Sequence, residues 1–296
     1  MVQDVSIILV NYKTKDLTEQ CIASIYEKTK DLKFDIYVVD NASYDGIEEL
    51  LKEKYPDVKF IQSSENKGFG SGNNCALRVF DSKYAFLLNT DTILINNAVK
   101  ILFDFMEANS SIGACGGNLY DEVGNNIHSY GNIFDLKDLF IKTFGLRLFF
   151  PKRYKKMRDR GENKNNLCKS VDFITGADLM LRKEALDKSG LFDERFFMYS
   201  EESELQFRIK KAGYDIFINP DAKIIHLHNK SPKKRENMYF EFLKSKYLLF
   251  RLCYGTKKNL WFIKTLFYIS CGYKKISHKE AIKRLFDYIS KDQIED

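Results

Sequence analysis

The sequence predicts an α/β fold: a mostly parallel, mixed sheet with flanking helices, followed by a helical extension at its C-terminal end. Three observations carry this. Short β-rich runs alternate with amphipathic segments through the first 120 residues. The first of those runs is continuously apolar, as expected of a strand buried on both faces. After residue 232 the alternation gives way to a basic, aromatic-rich segment.

Val5 to Val10 (VSIILV) forms the first strand, and Asp16-x-x-Glu19 makes a capping-box-like start for a helix with Leu17, Cys21 and Ile25 on one side. Ile36 to Val39, a helix over 47–54, Val58 to Ile61, a helix over 71–80 and Tyr84 to Leu88 continue the alternation, which implies a parallel sheet. Val99, Leu102, Phe103 and Met106 then recur at helical spacing, and Ile112 to Leu119 reads as a further strand. Between Lys137 and Lys169 the pattern breaks down into 11 basic and 3 acidic residues, read as a variable, mobile insertion or loop. Strand character returns over 171–181, a helix follows Glu201 with Leu205, Ile209 and Ala212 on its apolar face, and Lys223 to Ile225 forms the last strand. The domain reading is a catalytic unit over 1–232 and an extension over 233–296.

With 44% hydrophobic and 14% aromatic residues, 296 residues can bury a sizeable core, which excludes a disordered chain. No stretch reaches the roughly 18 to 20 apolar residues needed to span a bilayer, and the N-terminus carries no signal-peptide pattern. Six cysteines without a paired framework suggest buried thiols in a reducing cytoplasm. The net charge of +6 is unevenly distributed: residues 233–296 hold 15 Lys+Arg against 7 Asp+Glu, and the remainder of the chain is slightly acidic.

Ligands of open α/β sheets collect beyond the carboxyl ends of the strands, so polar residues there are the candidates. Strand one ends in Asn11-Tyr12 and strand two in Asp40-Asn41-Ala42-Ser43, where Asp40 either caps a turn or accepts an N–H from a nucleobase. The third strand leads to Asn66-Lys67-Gly68-Phe69-Gly70-Ser71-Gly72-Asn73-Asn74, glycines that let a backbone approach a ligand closely. Its spacing is not GxGxxG and it follows the third strand, which disfavours a nicotinamide or flavin enzyme. Asn89-Thr90-Asp91 is either an ordinary turn or a partial site for a hard divalent ion shared with substrate phosphates. Glu201, Glu202 and Glu204 open a helix, as dipole partners or as a general base that the dipole keeps ionised. His226-Leu227-His228 follows the last strand and offers a metal ligand, without the patterns of a zinc site.

Taken in order, VSIILVNY, VVDNAS, NKGFGSGNN, LLNTD, FITGADLMLRKEAL, GLFDERFFMYSEE and HLHNKS resemble the inverting family 2 glycosyltransferases of GT-A (Rossmann-like) fold, especially their rhamnosyltransferase-like branch. The resemblance spans roughly residues 3–232. It implies a nucleotide-diphosphate-sugar donor, Mg2+ or Mn2+, and transfer with inversion at the anomeric carbon. By position, Asp40 would contact the base with Asn11 and Tyr12 shaping that pocket, and Asn66, Gly68 and Asn73 would line the nucleotide site. Asn89 and Asp91 would be the metal motif, with His226 a metal or diphosphate ligand. Gly176, Ala177 and Asp178 match the acceptor-side strand, and Glu202 falls on the catalytic base, with Glu201 as competitor. The chain departs from the family at Asn89, which replaces an Asp, and at Glu202, whose extra methylene moves the carboxylate by about 1.5 Å.

An inactive scaffold of the same fold is the alternative from another functional class, and a nucleotidyltransferase is disfavoured because its phosphate loop would follow strand one. The basic tail is either a helical pair packed on the catalytic unit or a surface for anionic lipid. Trp261, Phe262 and Phe267 beside clustered lysines favour the latter, and with it a saccharide or lipid-linked saccharide acceptor. No nucleic-acid-binding motif accompanies the charge. The expected location is the cytoplasm, and the lipid-surface reading of the tail would add peripheral attachment to the inner face of its membrane.

Overall fold

The computed structural model describes residues 3–227, 235–272 and 278–292. Along the chain run β1 (Gln3–Asn11), α1 (Lys15–Lys28), β2 (Phe34–Asp40), α2 (Ile47–Lys54), β3 (Lys59–Gln62), α3 (Phe69–Leu77), β4 (Ser82–Leu88), β5 (Thr92–Leu94), α4 (Ala98–Ala108) and β6 (Ile112–Tyr120). An excursion holds β7 (Tyr130–Gly131), α5 (Leu136–Thr143), α6 (Pro151–Met157), β8 (Lys169–Ser170) and β9 (Phe173–Ile174). The chain then returns through β10 (Asp178–Arg182), α7 (Lys183–Ser189), α8 (Glu201–Lys211) and β11 (Asp215–His226) to the tail helices α9 (Arg235–Tyr254), α10 (Leu260–Gly272) and α11 (Lys279–Lys291).

The main sheet has the order β3-β2-β1-β4-β10-β6-β11-β5, with β8 paired on β11. β1, β2, β3 and β4 run parallel, as do β6 and β11, whereas β10 lies antiparallel between β4 and β6. β1 is continuously apolar because it is covered on both faces. Val5, Ile7 and Leu9 join a core with Cys21, Ile22 and Ile25 of α1, while Ile8 joins a second core with Ala76 and Leu77 of α3 and Leu205 of α8.

Three sequence expectations change. The predicted strand over 171–181 is two strands. β9 pairs with β7 in a separate two-stranded sheet and β10 enters the main sheet, so residues 175–177 form a turn between them. The last strand is longer than Lys223 to Ile225 because β11 begins at Asp215. Its register on β6 shifts between Ile218 and Lys223, around Pro220, which has no N–H to give to a ladder. The basic stretch from Lys137 to Lys169 contains α5 and α6, and the Asp135 side chain caps α5 by accepting from the Asp138 N–H at 2.8 Å.

The tail helices enclose a third apolar cluster, in which Tyr247, Ile263, Leu266, Ile282, Leu285 and Ile289 are buried together with Leu139 of α5. The proposed boundary at 232/233 lies outside the described residues, as do His228, Lys274 and Lys275.

Candidate active site

Strand direction brings the polar candidates to one edge of the sheet. Asn11 and Asp40 are register partners at the ends of parallel β1 and β2, and Leu88 at the end of β4 pairs with Asp178 at the start of antiparallel β10. His226, the last residue of β11, pairs with Thr92 at the start of β5.

Asn11 is fully buried and organises the first corner. Its Nδ2 donates to Asp40 Oδ1 at 2.9 Å, Ser43 Oγ at 2.9 Å and Asp45 Oδ1 at 3.1 Å, while its Oδ1 accepts from the Thr14 N–H and from the Thr14 and Thr18 hydroxyls. Asp40 is also buried. Its Oδ1 accepts from Ser43 Oγ at 2.5 Å, and its Oδ2 from the Ser43 and Tyr44 N–H groups and from Gln62 Nε2. Burial pushes this carboxyl up, but the bonds from Ser43, Tyr44, Gln62 and Asn11 outweigh it and hold Asp40 below its ordinary range. The turn-capping role of Asp40 is thus realised in full, with Tyr12 and Tyr44 exposed on either side.

The glycine-rich segment is bound to the chain around Phe197. Asn41 Nδ2 donates to Asn66 Oδ1 at 3.0 Å and to the Gly68 carbonyl at 3.1 Å, and Asn66 Oδ1 also accepts from the Gly68 N–H. Gly68 has φ +97°, and a Cβ there would lie 1.8 Å from the Phe197 carbonyl oxygen, which accepts from the Phe69 N–H. A Cβ on Gly72 would lie 2.8 Å from Val10 Cγ1. At these two glycines the room that a Cβ would need is therefore taken by protein, which requires glycine at both positions. Asn73 Nδ2 donates to the Phe69 carbonyl. Asn74 exchanges hydrogen bonds with the Phe192 backbone and donates to Glu194 Oε1, a brace that sequence reading missed.

After β4, the Asn89 N–H donates to the Ala177 carbonyl at 3.0 Å, and Thr90 Oγ1 lies 3.0 Å from Thr14 Oγ1. Asp91 Oδ1 lies 3.1 Å from His226 Nε2, and the Asp91 carbonyl accepts from the Leu227 N–H. Two candidates from distant parts of the sequence thus meet. A carboxylate oxygen and an imidazole nitrogen at this separation suit one divalent ion and leave its other positions to substrate oxygens and water. No group of three or more potential metal ligands occurs among the described residues.

On the other flank Gly176 and Ala177 form the turn into β10, and Asp178 is wholly buried beneath it. Its Oδ2 accepts from the Gly117 N–H at 2.7 Å, its Oδ1 has no hydrogen-bond partner, and burial pushes its carboxyl well above the usual range. Asp178 therefore presents no surface to a ligand. Tyr199 and Ser200 precede α8 with φ +73° and +66°, uncommon for residues with side chains. Glu201 is buried with Oε2 unpartnered, whereas Glu202 is half-buried.

Burial, and then the neighbouring Glu202, push Glu201 well up. Burial also raises Glu202, against hydrogen bonds from its own N–H and from Ser203 that favour the charged form. At both residues desolvation therefore works against the helix dipole, which favours the charged form. Glu204 is a structural residue, paired with Arg208 at 2.8 Å. Gln206, also missed in the sequence, exchanges 2.8 Å bonds with the backbone of Ile174 and donates to the Glu202 carbonyl.

The tail reaches this flank. Ser245 Oγ of α9 donates to the Met198 carbonyl at 2.8 Å, and Phe242 packs edge-on against Tyr199. Of the three tail aromatics singled out, Trp261 is exposed, Phe262 half-buried and Phe267 buried. No helix among the described residues is long and apolar enough to cross a membrane.

The sequence model of the family described as Glycosyl transferase family 2 matches residues 6–190. Among curated proteins, the chain is 24% identical over 233 residues to an N-acetylglucosaminyl-diphospho-decaprenol L-rhamnosyltransferase of Mycobacterium tuberculosis, covering 74% of this chain and 75% of that one. It is 23% identical over 251 residues to a hexosyltransferase of low-salt glycan biosynthesis from Haloferax volcanii, covering 82% and 73%. Among solved structures, the mannosyltransferase of Pyrobaculum calidifontis in complex with GDP-Man and Mn2+ aligns with a TM-score of 0.59 at 17% identity, over 99% of this chain and 77% of that one.

Proposed function

The chain belongs to glycosyl transferase family 2 and is a glycosyltransferase of GT-A fold, and we propose that it transfers a sugar, with inversion, from a nucleotide-diphosphate sugar to a saccharide acceptor carried on a lipid. The donor of first choice is dTDP-rhamnose, with UDP-hexoses next, supported by the similarity to a rhamnosyltransferase whose name specifies a diphospho-decaprenol-linked substrate.

The observation that carries this reading is the 3.1 Å approach of Asp91 Oδ1 to His226 Nε2 on the sheet edge that also holds Asn11, Asp40 and Asn89. In the proposal the base lies against Tyr12 and the Asp40 turn, and the ribose and diphosphate run past Asn66, Gly68 and Asn73 to Asn89 and Asp91. Mg2+ or Mn2+ bound by Asp91 and His226 would offset the negative charge that develops on the departing diphosphate.

Glu202 acts as the base. Its carboxylate takes the acceptor hydroxyl proton as the hydroxyl oxygen bonds to the anomeric carbon, and the bond from that carbon to the donor phosphate breaks, releasing the nucleoside diphosphate. Glu202 is preferred to Glu201 because it retains surface to meet an acceptor, whereas Glu201 is buried. A carboxyl raised by burial is also a better proton acceptor once ionised. Gly176 and Ala177 border the acceptor side. Residues 1–232 form the catalytic unit and 233–296 an extension that braces it.

A thermal-shift panel of dTDP, UDP, GDP and ADP, each with and without Mn2+, tests the donor site. The expected result is a metal-dependent shift with dTDP or UDP that Asp91→Ala removes. Folded protein that shifts with none of the four overturns the assignment.

A further inference from the structure

We propose that residues 144–158, together with the Trp261 edge of α10, are the surface by which this enzyme docks on an anionic lipid bilayer. The proposal deepens the reading of a lipid-linked acceptor and rests on it for its purpose. It moves the weight of membrane contact from the tail to the basic excursion.

Leu148 and Phe149 are 84% and 77% exposed, and Phe144 and Phe150 flank them at 48% and 45%. Isolated surface hydrophobics need no explanation, but four within seven residues do. Local structure keeps them outside the core. α5 stops at Thr143, Gly145 turns the chain at φ +68°, and Pro151 starts α6, so the intervening residues belong to neither helix.

The patch continues onto a segment distant in sequence. Phe140 lies 4.7 Å from Phe144 and stacks on Phe262 at 6.2 Å between ring centres. Phe262 in turn adjoins Trp261, which is 66% exposed.

Charge selects the occupant. Arg147, Lys152, Lys155 and Arg158 are exposed and form no ion pair among the described residues, and α6 contains no acidic side chain. Exposed apolar and aromatic side chains interspersed along the chain with exposed cations match a bilayer whose acyl region lies beneath anionic headgroups. A second copy of this chain is a poor match, because a two-fold contact would set these cations against each other. A nucleic acid would have no use for Leu148.

Vesicle flotation with phosphatidylcholine alone, and with phosphatidylglycerol added, tests the proposal on the full chain without donor or acceptor. Two double variants are compared with the wild type, Leu148→Ser with Phe149→Ser and Lys152→Gln with Lys155→Gln. Neither touches the candidate active site, so transfer to a water-soluble acceptor is expected to be unchanged in both, which also reports that they fold. Wild type is expected to float with the anionic vesicles at low salt and to be partly released at high salt. The serine pair should weaken binding by about tenfold or more, and the glutamine pair should abolish the preference for anionic lipid.

Failure of the wild type to float at low salt overturns the proposal, as does equal flotation of the serine pair. A dimeric wild type that the serine pair renders monomeric, with no flotation, would reassign the patch to self-association. Flotation as expected, with transfer only to soluble acceptors, would retain the docking surface and overturn the lipid-linked acceptor instead.

Discussion

The two flanks of the candidate site treat their polar groups in opposite ways. On the flank built from β1 and β2, every oxygen of Asp40 is occupied by neighbouring donors and its carboxyl is held below the ordinary range. On the flank built from β10 and α8, Asp178 and Glu201 each keep a buried oxygen without a partner, and Asp178, Glu201 and Glu202 are all pushed up. The first arrangement fixes geometry before a ligand arrives. The second holds carboxyls in a poorly solvated place, where burial favours the protonated form.

The largest effect expected from this contrast is on rate. Glu202→Gln should lower transfer by about a hundredfold to ten-thousandfold while the nucleotide-induced thermal shift persists. In the wild type the rate should rise with pH along a limb above the usual carboxylate range, because burial raises Glu202. An equal loss with Glu201→Gln and none with Glu202→Gln would transfer the role to Glu201.

A smaller effect, on stability, probes the saturated flank. Asn11→Asp replaces a donor to Asp40 and Asp45 with a carboxylate, so it should cost about 3 kcal/mol at neutral pH, read from denaturant midpoints. The loss should shrink as pH falls, because like charges raise a carboxyl in the folded state and protonation relieves them. A variant as stable as wild type would show that the corner is not rigidly specified.

The smallest effect concerns Asp178. Its folded-state pKa lies above its unfolded one, so its contribution is fully present below the unfolded value and is lost as pH rises toward the folded value. Asp178→Asn should therefore be stabilising by about 1 kcal/mol or more at neutral pH and flatten the dependence of stability on pH above the ordinary carboxylate range. An unchanged pH dependence would break the contrast between the flanks.

Much of this was readable in the sequence where the signal is local. The continuous run from Val5 to Val10 announced a strand covered on both faces, and the polar residues after β1, β2 and β4 share one edge because parallel strands end together. Asp91 and His226 were both singled out, but only tertiary structure brings them to 3.1 Å. What escaped depends on partners far along the chain: Asn74 against Phe192, Gln206 against Ile174, and the reserve of space at Gly68 for Phe197. The excursion from Lys137 to Lys169 hid α6 because that helix buries no residue and leaves no apolar periodicity to detect, and α5 spans only eight residues, with Leu139 and Ile141 buried. The desolvation of Glu201 and Glu202 was hidden for a related reason, since a sequence displays the helix start but not the depth of burial.

The bond from Ser245 to the Met198 carbonyl bears on the chain's history during synthesis. Glu201 and Glu202 leave the ribosome more than forty residues ahead of Ser245, and domains fold progressively as the chain emerges. The backbone before α8 can acquire this last clasp only once α9 has followed it. A ribosome stalled between these points would therefore carry a chain in which the backbone before α8 is not yet clasped by α9.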